Sequence, residues 1–242
     1  MESLHADVWQ LPGPDLRLPG GAVLPLRSTL VRLPDRALLV YSPVAFDDAT
    51  AAEIDALGEV AHIVAPNLAH HLHAPAAAAR WPRATVHAAR GVEAKQPGLR
   101  IDRWLPERDA SWGDALDLEL VGGAPRIGET VLFHRPSGTL ICADFLFHVT
   151  EPANLRTRAL LAMLGTGGQR LAQSRVWRMV RADRAAARAS VDRILAWPIA
   201  RVATCHGSPC AIDAAALATR VTRLYGGSVS GASDRSAAGS LT

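Results

Sequence analysis

The stretch AHIVAPNLAHHLHAPAAAARWPRATVHA, residues 61–88, decides which class of fold this chain can adopt. It begins with a short apolar run at 61–65 and ends with a second at 84–88, each typical of a buried strand. The sequence from about Pro75 to Trp81 predicts a helix between them. The stretch is therefore a strand–helix–strand unit, and the loop after its first strand holds three clustered histidines. These are His70, His71 and His73.

Strands and helices are also predicted on both sides of this unit. Residues 28–33 and 37–41 flank a short turn and predict a hairpin. Asp47 or Asp48 can cap a helix that runs to about Leu57. Because strands are flanked by helices in both halves of the chain, the sequence indicates an α/β sandwich. The later predicted strands are 115–121, 129–134, 139–144 and 199–205, and the later helices are 153–165, 184–197 after the N-cap Asp183, and 213–225.

The length and composition favour one domain. The chain has 242 residues, of which 49% are hydrophobic, which is enough for one sizeable core and too little for two comfortable ones. We therefore predict a single domain over residues 1–225. The last stretch, 226–242, is small and polar, and it predicts a disordered tail.

The charge and the cysteines exclude several classes of protein. The pI is about 9.1, but the formal net charge is only +3 and is scattered, so nucleic acid is not an expected partner. No uncharged apolar stretch approaches membrane-spanning length, so no membrane partner is expected. Three cysteines do not make a disulfide framework, which favours a reducing cytoplasm. Abundant Arg and Ala beside a single Lys, Lys95, suggest a GC-rich bacterial genome, and a small molecule remains the expected partner.

Four polar residues lie at or shortly past the ends of predicted strands. His70 and His71 follow 61–65, Asp144 ends 139–144, and His206 follows 199–205. Loops at strand ends commonly carry sites, because the sheet beneath holds them in place. Imidazoles and a carboxylate suit a divalent cation such as zinc or iron, and three such ligands leave a position open for catalysis. Each residue alone is weak evidence, since a histidine after a strand is more often a capping or core group.

The order of these residues along the chain resembles the metallo-β-lactamase fold superfamily. ETVLFHRPSGTLICADFLF (129–147) looks like that fold's hairpin, which ends in a metal-binding Asp, and VATCHG (202–207) looks like its last ligand loop. AHIVAPNLAHHLHAP (61–75) stands where the superfamily has its His-x-His-x-Asp-His signature. Over about residues 7–225 the chain is similar to one branch, domain of unknown function family 4336. The resemblance implies a four-layer αββα sandwich of the metallo-β-lactamase type.

The departures from the superfamily's signature affect the expected metal site. Pro66 and Leu68 stand where its first two histidines belong, and neither side chain can bind a metal. No histidine occurs in 122–129, where the resemblance places the next ligand. The first of two metal positions is therefore expected to be lost. At the second metal position, the resemblance implies one divalent metal, zinc in preference to iron. It would be bound by four residues or by three of them. These are His70, His71, Asp144 and His206.

Other residues are candidates for supporting roles. His73 is expected near the metal ligands rather than among them. Glu129 and His134 lie five apart on one predicted strand, so alternation lets at most one of them face the site. Glu129 is the better candidate to accept a hydrogen bond from a metal-binding imidazole. Asp144 is either a ligand or the general base that accepts a proton from water, and it is the catalytic candidate in both cases.

Three functions remain open on the sequence. The first is a metal-dependent hydrolase of a small ester, thioester, lactone or phosphoester. The second is a non-catalytic descendant of the fold that binds a metabolite or a protein. The third is a mononuclear iron redox protein, since a histidine-rich ligand set also suits iron.

Overall fold

The computed structural model describes residues 1–221, and most of its strands belong to two sheets. The strands are β1 (Glu2–His5), β2 (Val8–Pro12), β3 (Leu16–Arg17), β4 (Val23–Leu24), β5 (Arg27–Arg32), β6 (Leu38–Tyr41), β7 (Val60–Ala65), β8 (Thr85–Ala88), β9 (Arg103–Trp104), β10 (Leu116–Leu120), β11 (Thr130–His134), β12 (Thr139–Cys142), β13 (Arg201–Thr204) and β14 (Cys210–Ala211). The helices are α1 (Asp48–Leu57), α2 (Ala74–Arg80), α3 (Val92–Lys95), α4 (Leu155–Leu164), α5 (Val176–Val180), α6 (Arg184–Leu195) and α7 (Ala214–Ala218).

The two sheets differ in the direction of their strands. The first has the order β1-β2-β5-β6-β7-β8-β9; it is antiparallel as far as β6 and parallel from β6 to β9. The second has the order β10-β11-β12-β13-β14, with one parallel pair between β12 and β13. The strand–helix–strand unit is β7-α2-β8, and its two strands pair in parallel, as strands joined by a helical crossover do.

Alternation along the strands divides the apolar core into three layers. Ile63 and Ala65 of β7 pack with Ala74 and Ala77 of α2, on the outer face of the first sheet. Val64 instead points to the inner face, where the two sheets pack together. On the second sheet, the outer face packs against α6 and α7. This arrangement of helix, sheet, sheet and helix confirms the predicted four-layer αββα sandwich.

The helix starts follow the capping residues in the sequence. The Asp47 carboxylate accepts a hydrogen bond from the Thr50 amide, and Asp183 accepts two from Ala185 and Ala186, so both predicted caps are confirmed. The helix predicted over 213–225 is shorter in its described part, which is α7. The tail predicted at 226–242 lies outside the described residues, and the single domain over 1–225 remains a prediction.

Candidate metal centre

Two of the candidate residues are set side by side by a parallel strand pair. In the register of β12 and β13, Cys142 lies opposite Thr204. Asp144 and His206 each come two residues after these partners, so both emerge at the same edge of the second sheet. The Cys205 amide donates to the Cys142 carbonyl at 3.0 Å and continues the pairing up to the site.

The histidine loop reaches the same edge from the other sheet. It follows β7, and two backbone hydrogen bonds attach it to the second sheet near the start of β11. The Thr130 amide donates to the Pro66 carbonyl at 2.9 Å, and the Leu68 amide donates to the Ile127 carbonyl at 3.0 Å. The site therefore lies where one end of each sheet meets the other.

Three ligand atoms converge at this junction. The Nε2 atoms of His70 and His206 are 3.1 Å apart. Asp144 Oδ1 lies 3.3 Å from the Nε2 of His206 and 3.6 Å from that of His70. A tetrahedral cation with bonds of about 2.0–2.1 Å separates its ligand atoms by about 3.3 Å, so this triangle has the size of one face of a zinc site.

The outer nitrogens of both imidazoles have partners that aim the Nε2 lone pairs inward. His206 Nδ1 lies 3.0 Å from the Pro25 carbonyl, which can only accept, so Nδ1 carries a proton and Nε2 is the nitrogen that faces His70 and Asp144. His70 Nδ1 lies 2.8 Å from the Ser42 hydroxyl, which is able to accept. When both Nε2 atoms are unprotonated, as metal binding requires, they and the carboxylate form three acceptors that face one another. This donor set fits a divalent cation, because a positive charge between the acceptors relieves their repulsion.

Asn67 fixes the position of the histidine loop relative to Asp144. Its Oδ1 accepts from the amides of Ala69 and His70, at 2.9 and 2.7 Å. Its Nδ2 donates to Asp144 Oδ2 at 2.8 Å and to Glu129 Oε2 at 3.2 Å. One oxygen of Asp144 is thus fixed by Asn67, and the other is left facing the two imidazoles.

Glu129 supports the backbone around Asp144 and does not orient a histidine, so that expectation is wrong. Its Oε1 accepts from the Ala143 amide at 2.7 Å, and its Oε2 accepts from the Asp144 amide at 2.8 Å. Burial and the charge of Asp144 raise the pKa of Glu129 to about 8, against the hydrogen bonds that lower it. For Asp144, burial has the largest effect and raises the pKa, but the two imidazoles together outweigh it and hold that pKa well below its usual range.

His71 is the main correction to the ligand set. The ligand atoms that lie within 4.8 Å of one another come from His70, Asp144 and His206, and His71 is not among them. Its Nδ1 lies 3.1 Å from the side-chain Nε2 of Gln96, the residue just after α3. Consecutive residues of a loop seldom point the same way, and here His70 alone turns towards the second sheet. Burial, followed by the charge of Lys95, lowers the pKa of His71.

The remaining candidates lie in different places. His73 precedes α2 and lines a cavity beside the metal ligands, and burial lowers its pKa. His134 ends β11 away from them: its Nδ1 lies 2.7 Å from the Ser137 hydroxyl, and its ring contacts His5 edge to face. Burial lowers the pKa of His134 to about 4. Of Glu129 and His134, only Glu129 is therefore connected to the site.

Sequence reasoning missed the groups that orient the imidazoles. Ser42 directly follows β6 and was detectable, because it occupies the same kind of strand-end position as His70, Asp144 and His206. The Pro25 carbonyl left no signal, since a backbone group has no side-chain identity. Trp177 is buried in the core, and its indole N–H also donates to the Asp144 carbonyl at 2.8 Å.

A second group of possible ligands lies between the sheets, at His62, His87 and Asp109. Its hydrogen bonds form a chain from His87 to Asp109. His87 Nε2 lies 3.0 Å from His62 Nδ1, and His62 Nε2 lies 3.0 Å from the Ser111 hydroxyl, which donates to Asp109 at 2.7 Å. Arg103 pairs with the same carboxylate at 3.1 Å. Protons satisfy every one of these contacts, so this group does not call for a cation as the first one does.

Solved structures place the fold among the metallo-β-lactamases. The chain superposes on VMB-1 with a TM-score of 0.63 and 11% identity, over 92% of this chain and 94% of that one. A metallo-β-lactamase from Pontibacter korlensis gives 0.61 and 14%, over 93% and 98%. FIM-1 from Pseudomonas aeruginosa, in its mono-zinc form, gives 0.56 and 15%, over 87% and 88%. This protein therefore has the metallo-β-lactamase fold, as the sequence predicted.

The family is narrower than the fold. Residues 18–169 match the family described as Domain of unknown function (DUF4336), and the chain belongs to it. No curated protein matches the sequence. Within residues 1–221, none of the helices has the length and apolar character that crossing a membrane requires.

Proposed function

We propose that the protein is a metal-dependent hydrolase with one divalent cation bound by His70, Asp144 and His206. The observation that carries this proposal is the convergence of three acceptor atoms within 3.1–3.6 Å, with the outer nitrogens of both imidazoles already bonded. Two nitrogens and one carboxylate oxygen favour zinc first and iron second. Three protein ligands leave a position open for substrate, as in catalytic rather than structural sites.

When bound, the cation supplies Lewis acidity that polarises the bond to be hydrolysed. The protein's own residues keep the ligands in position for it. Pro25 and Ser42 hold the imidazoles, and Asn67 holds the outer oxygen of Asp144. Because the inner oxygen of Asp144 faces both imidazoles, we assign Asp144 as a ligand and not as the general base.

A single cation is proposed because the positions of a second lack ligands. Pro66 and Leu68 replace the first two histidines of the superfamily's signature, and 122–129 contains no histidine. FIM-1, a structural neighbour, has been solved in a mono-zinc form, which supports the same count here. The proposed substrate is an ester, thioester, lactone or phosphoester, and it is small because the ligands line a cavity of about 350 Å³.

The test is the metal content of purified protein, with a matched pair of neighbouring histidines. We expect about one equivalent of zinc per chain, lost in His70→Ala and in His206→Ala and retained in His71→Ala. Equal loss in His71→Ala would contradict the ligand assignment. Hydrolysis of model esters, thioesters, lactones and phosphoesters is then compared between the wild type and His206→Ala.

Two other outcomes would favour a different function. Protein that binds no metal after reconstitution would instead be a non-catalytic binding descendant of the fold. One equivalent of iron, with a redox response and without hydrolysis, would identify a mononuclear iron protein. Turnover that persists unchanged in His206→Ala would exclude the proposed centre as the site of chemistry.

A further inference from the structure

The cavity beside the metal ligands has a largely apolar lining and two exposed cationic side chains. Its walls are mostly aliphatic, and they come from the two-stranded β3–β4 sheet, from the loops after β4, β6 and β7, and from the segment after β12. A wall of this kind binds hydrocarbon, because burial removes apolar surface of both ligand and protein from water. The main aliphatic residues are Leu16, Leu24, Leu26, Val44, Leu68 and Val176.

Two exposed cations also line this cavity. They are Lys95, at the end of α3, and Arg126, in the loop after β10. Neither forms an ion pair with any other residue of 1–221. Asp144 is the only carboxylate among the described residues that line the cavity, and it belongs to the metal ligands. The two cations are therefore available to an anionic group of a ligand.

One segment that lines part of the cavity has the same sign of charge. Residues 152–182 contain six arginines and no acidic residue, and they contribute Leu164, Val176 and Trp177 to the lining. A cluster of one sign raises the local concentration of ligands of the opposite sign. The surroundings of the cavity thus favour an anion, while its walls favour an aliphatic chain.

We infer that the cavity binds an anionic acyl compound, with its aliphatic chain on the leucine-rich wall and its anionic group at Lys95 and Arg126. This inference rests on the proposed function, because the acyl bond to be hydrolysed then lies beside His70 and His206. It narrows the substrate to carboxylic esters, thioesters or lactones that carry both a chain and a negative charge. A volume of about 350 Å³ suits one small molecule and not a polymer.

The test measures binding and not turnover, so its result is independent of the metal. Chelator-treated protein is titrated with octanesulfonate, with octanol, which lacks the charge, and with methanesulfonate, which lacks the chain. The sulfonate is used because it is a poor metal ligand. We expect octanesulfonate to bind more tightly than either of the others at low ionic strength, measured by calorimetry or by quenching of tryptophan fluorescence.

Amino-acid substitutions test which residues bind the anionic group of the ligand and where its aliphatic chain lies. Lys95→Gln and Arg126→Gln should each weaken octanesulfonate binding about three-fold and leave octanol unchanged. Arg108→Gln, an exposed arginine outside the cavity, is the matched control and should change neither. Val176→Trp fills the cavity and should abolish binding of both octyl compounds.

Three results would overturn the inference. One is octanesulfonate binding no tighter than methanesulfonate, which removes the aliphatic subsite. Another is affinity unaffected by Lys95→Gln and Arg126→Gln together, which removes the anionic subsite. The third is unchanged binding in Val176→Trp, which places the ligand elsewhere. A protein that binds octanesulfonate as expected but holds no metal would refute the proposed hydrolase and leave the binding site standing.

Discussion

At the scale of single residues, Asn67 connects the groups on which the candidate metal centre depends. It is fully buried, and it donates two hydrogen bonds to carboxylates while accepting two from the histidine loop. Only a side chain with both donors and acceptors satisfies these four contacts. Its importance therefore comes from its position between Asp144 and Glu129, and not from any chemistry of its own.

Asn67→Asp should destabilise the protein although it hardly changes the shape of the side chain. The substitution replaces the donor with a third carboxylate against Asp144 and Glu129, which leaves buried acceptors unpaired. We expect the free energy of unfolding at pH 7 to fall by about 3 kcal/mol, measured by urea denaturation of metal-free protein. A change below about 0.5 kcal/mol would show that Asn67 does not carry these contacts.

At the scale of elements, the loop after β13 depends on a close backbone approach at Gly207. The φ of Gly207 is +106°, and a Cβ there would lie 2.0 Å from the His148 carbonyl oxygen. That carbonyl accepts from the Ser208 amide, while the His148 amide donates to the His206 carbonyl at 2.9 Å. The glycine therefore lets the loop pair tightly enough to fix His206.

Gly207→Ala should therefore lower the free energy of unfolding by more than the positive φ of Gly207 alone explains. Gly168 is the matched control, since its φ is +93° and a Cβ there would meet nothing within 4 Å. We expect Gly168→Ala to lower the free energy of unfolding by about 1 kcal/mol. Gly207→Ala should lower it by at least about 3 kcal/mol and also weaken metal binding, because His206 moves. Equal effects of the two substitutions on both measurements would contradict this account.

At the scale of the whole molecule, stability should depend on pH through a histidine remote from the cavity. Burial, and then the neighbouring His62, lower the pKa of His87 to about 4. Its Nε2 bonds to His62, while its Nδ1 has no partner within residues 1–221. The folded state therefore favours the neutral ring, whereas the unfolded chain binds a proton near pH 6.5.

The sign of the effect follows from this difference. The stabilisation is present above about pH 6.5 and is lost progressively as the pH falls towards 4, because the unfolded state binds the extra proton. For His87 the loss between pH 7 and pH 5 is about 2 kcal/mol. Urea unfolding at both pH values, with chelator present, should show a smaller decrease in His87→Gln than in the wild type. An identical pH dependence in the two proteins would rule out His87 as the source.

Much of this protein follows from local patterns in the sequence. The apolar runs and Asp183 predicted β7, β8 and α6, because strand periodicity and helix capping depend on neighbouring residues. His70, Asp144 and His206 were identifiable since each follows a strand. Their order along the chain indicated the metallo-β-lactamase fold even though Pro66 replaces a signature histidine.

The tertiary structure decided which candidates meet. His70 and His71 are adjacent and chemically identical, so the sequence could not separate them. Only the packing of the loop after β7, against the start of β11 on one side and the end of α3 on the other, turns one to Asp144 and the other to Gln96. The cavity walls come from distant segments, and the Pro25 carbonyl has no side-chain signature at all. Local interactions are encoded within a few residues, whereas a site assembled from two sheets depends on distances that exist only after the sheets have packed.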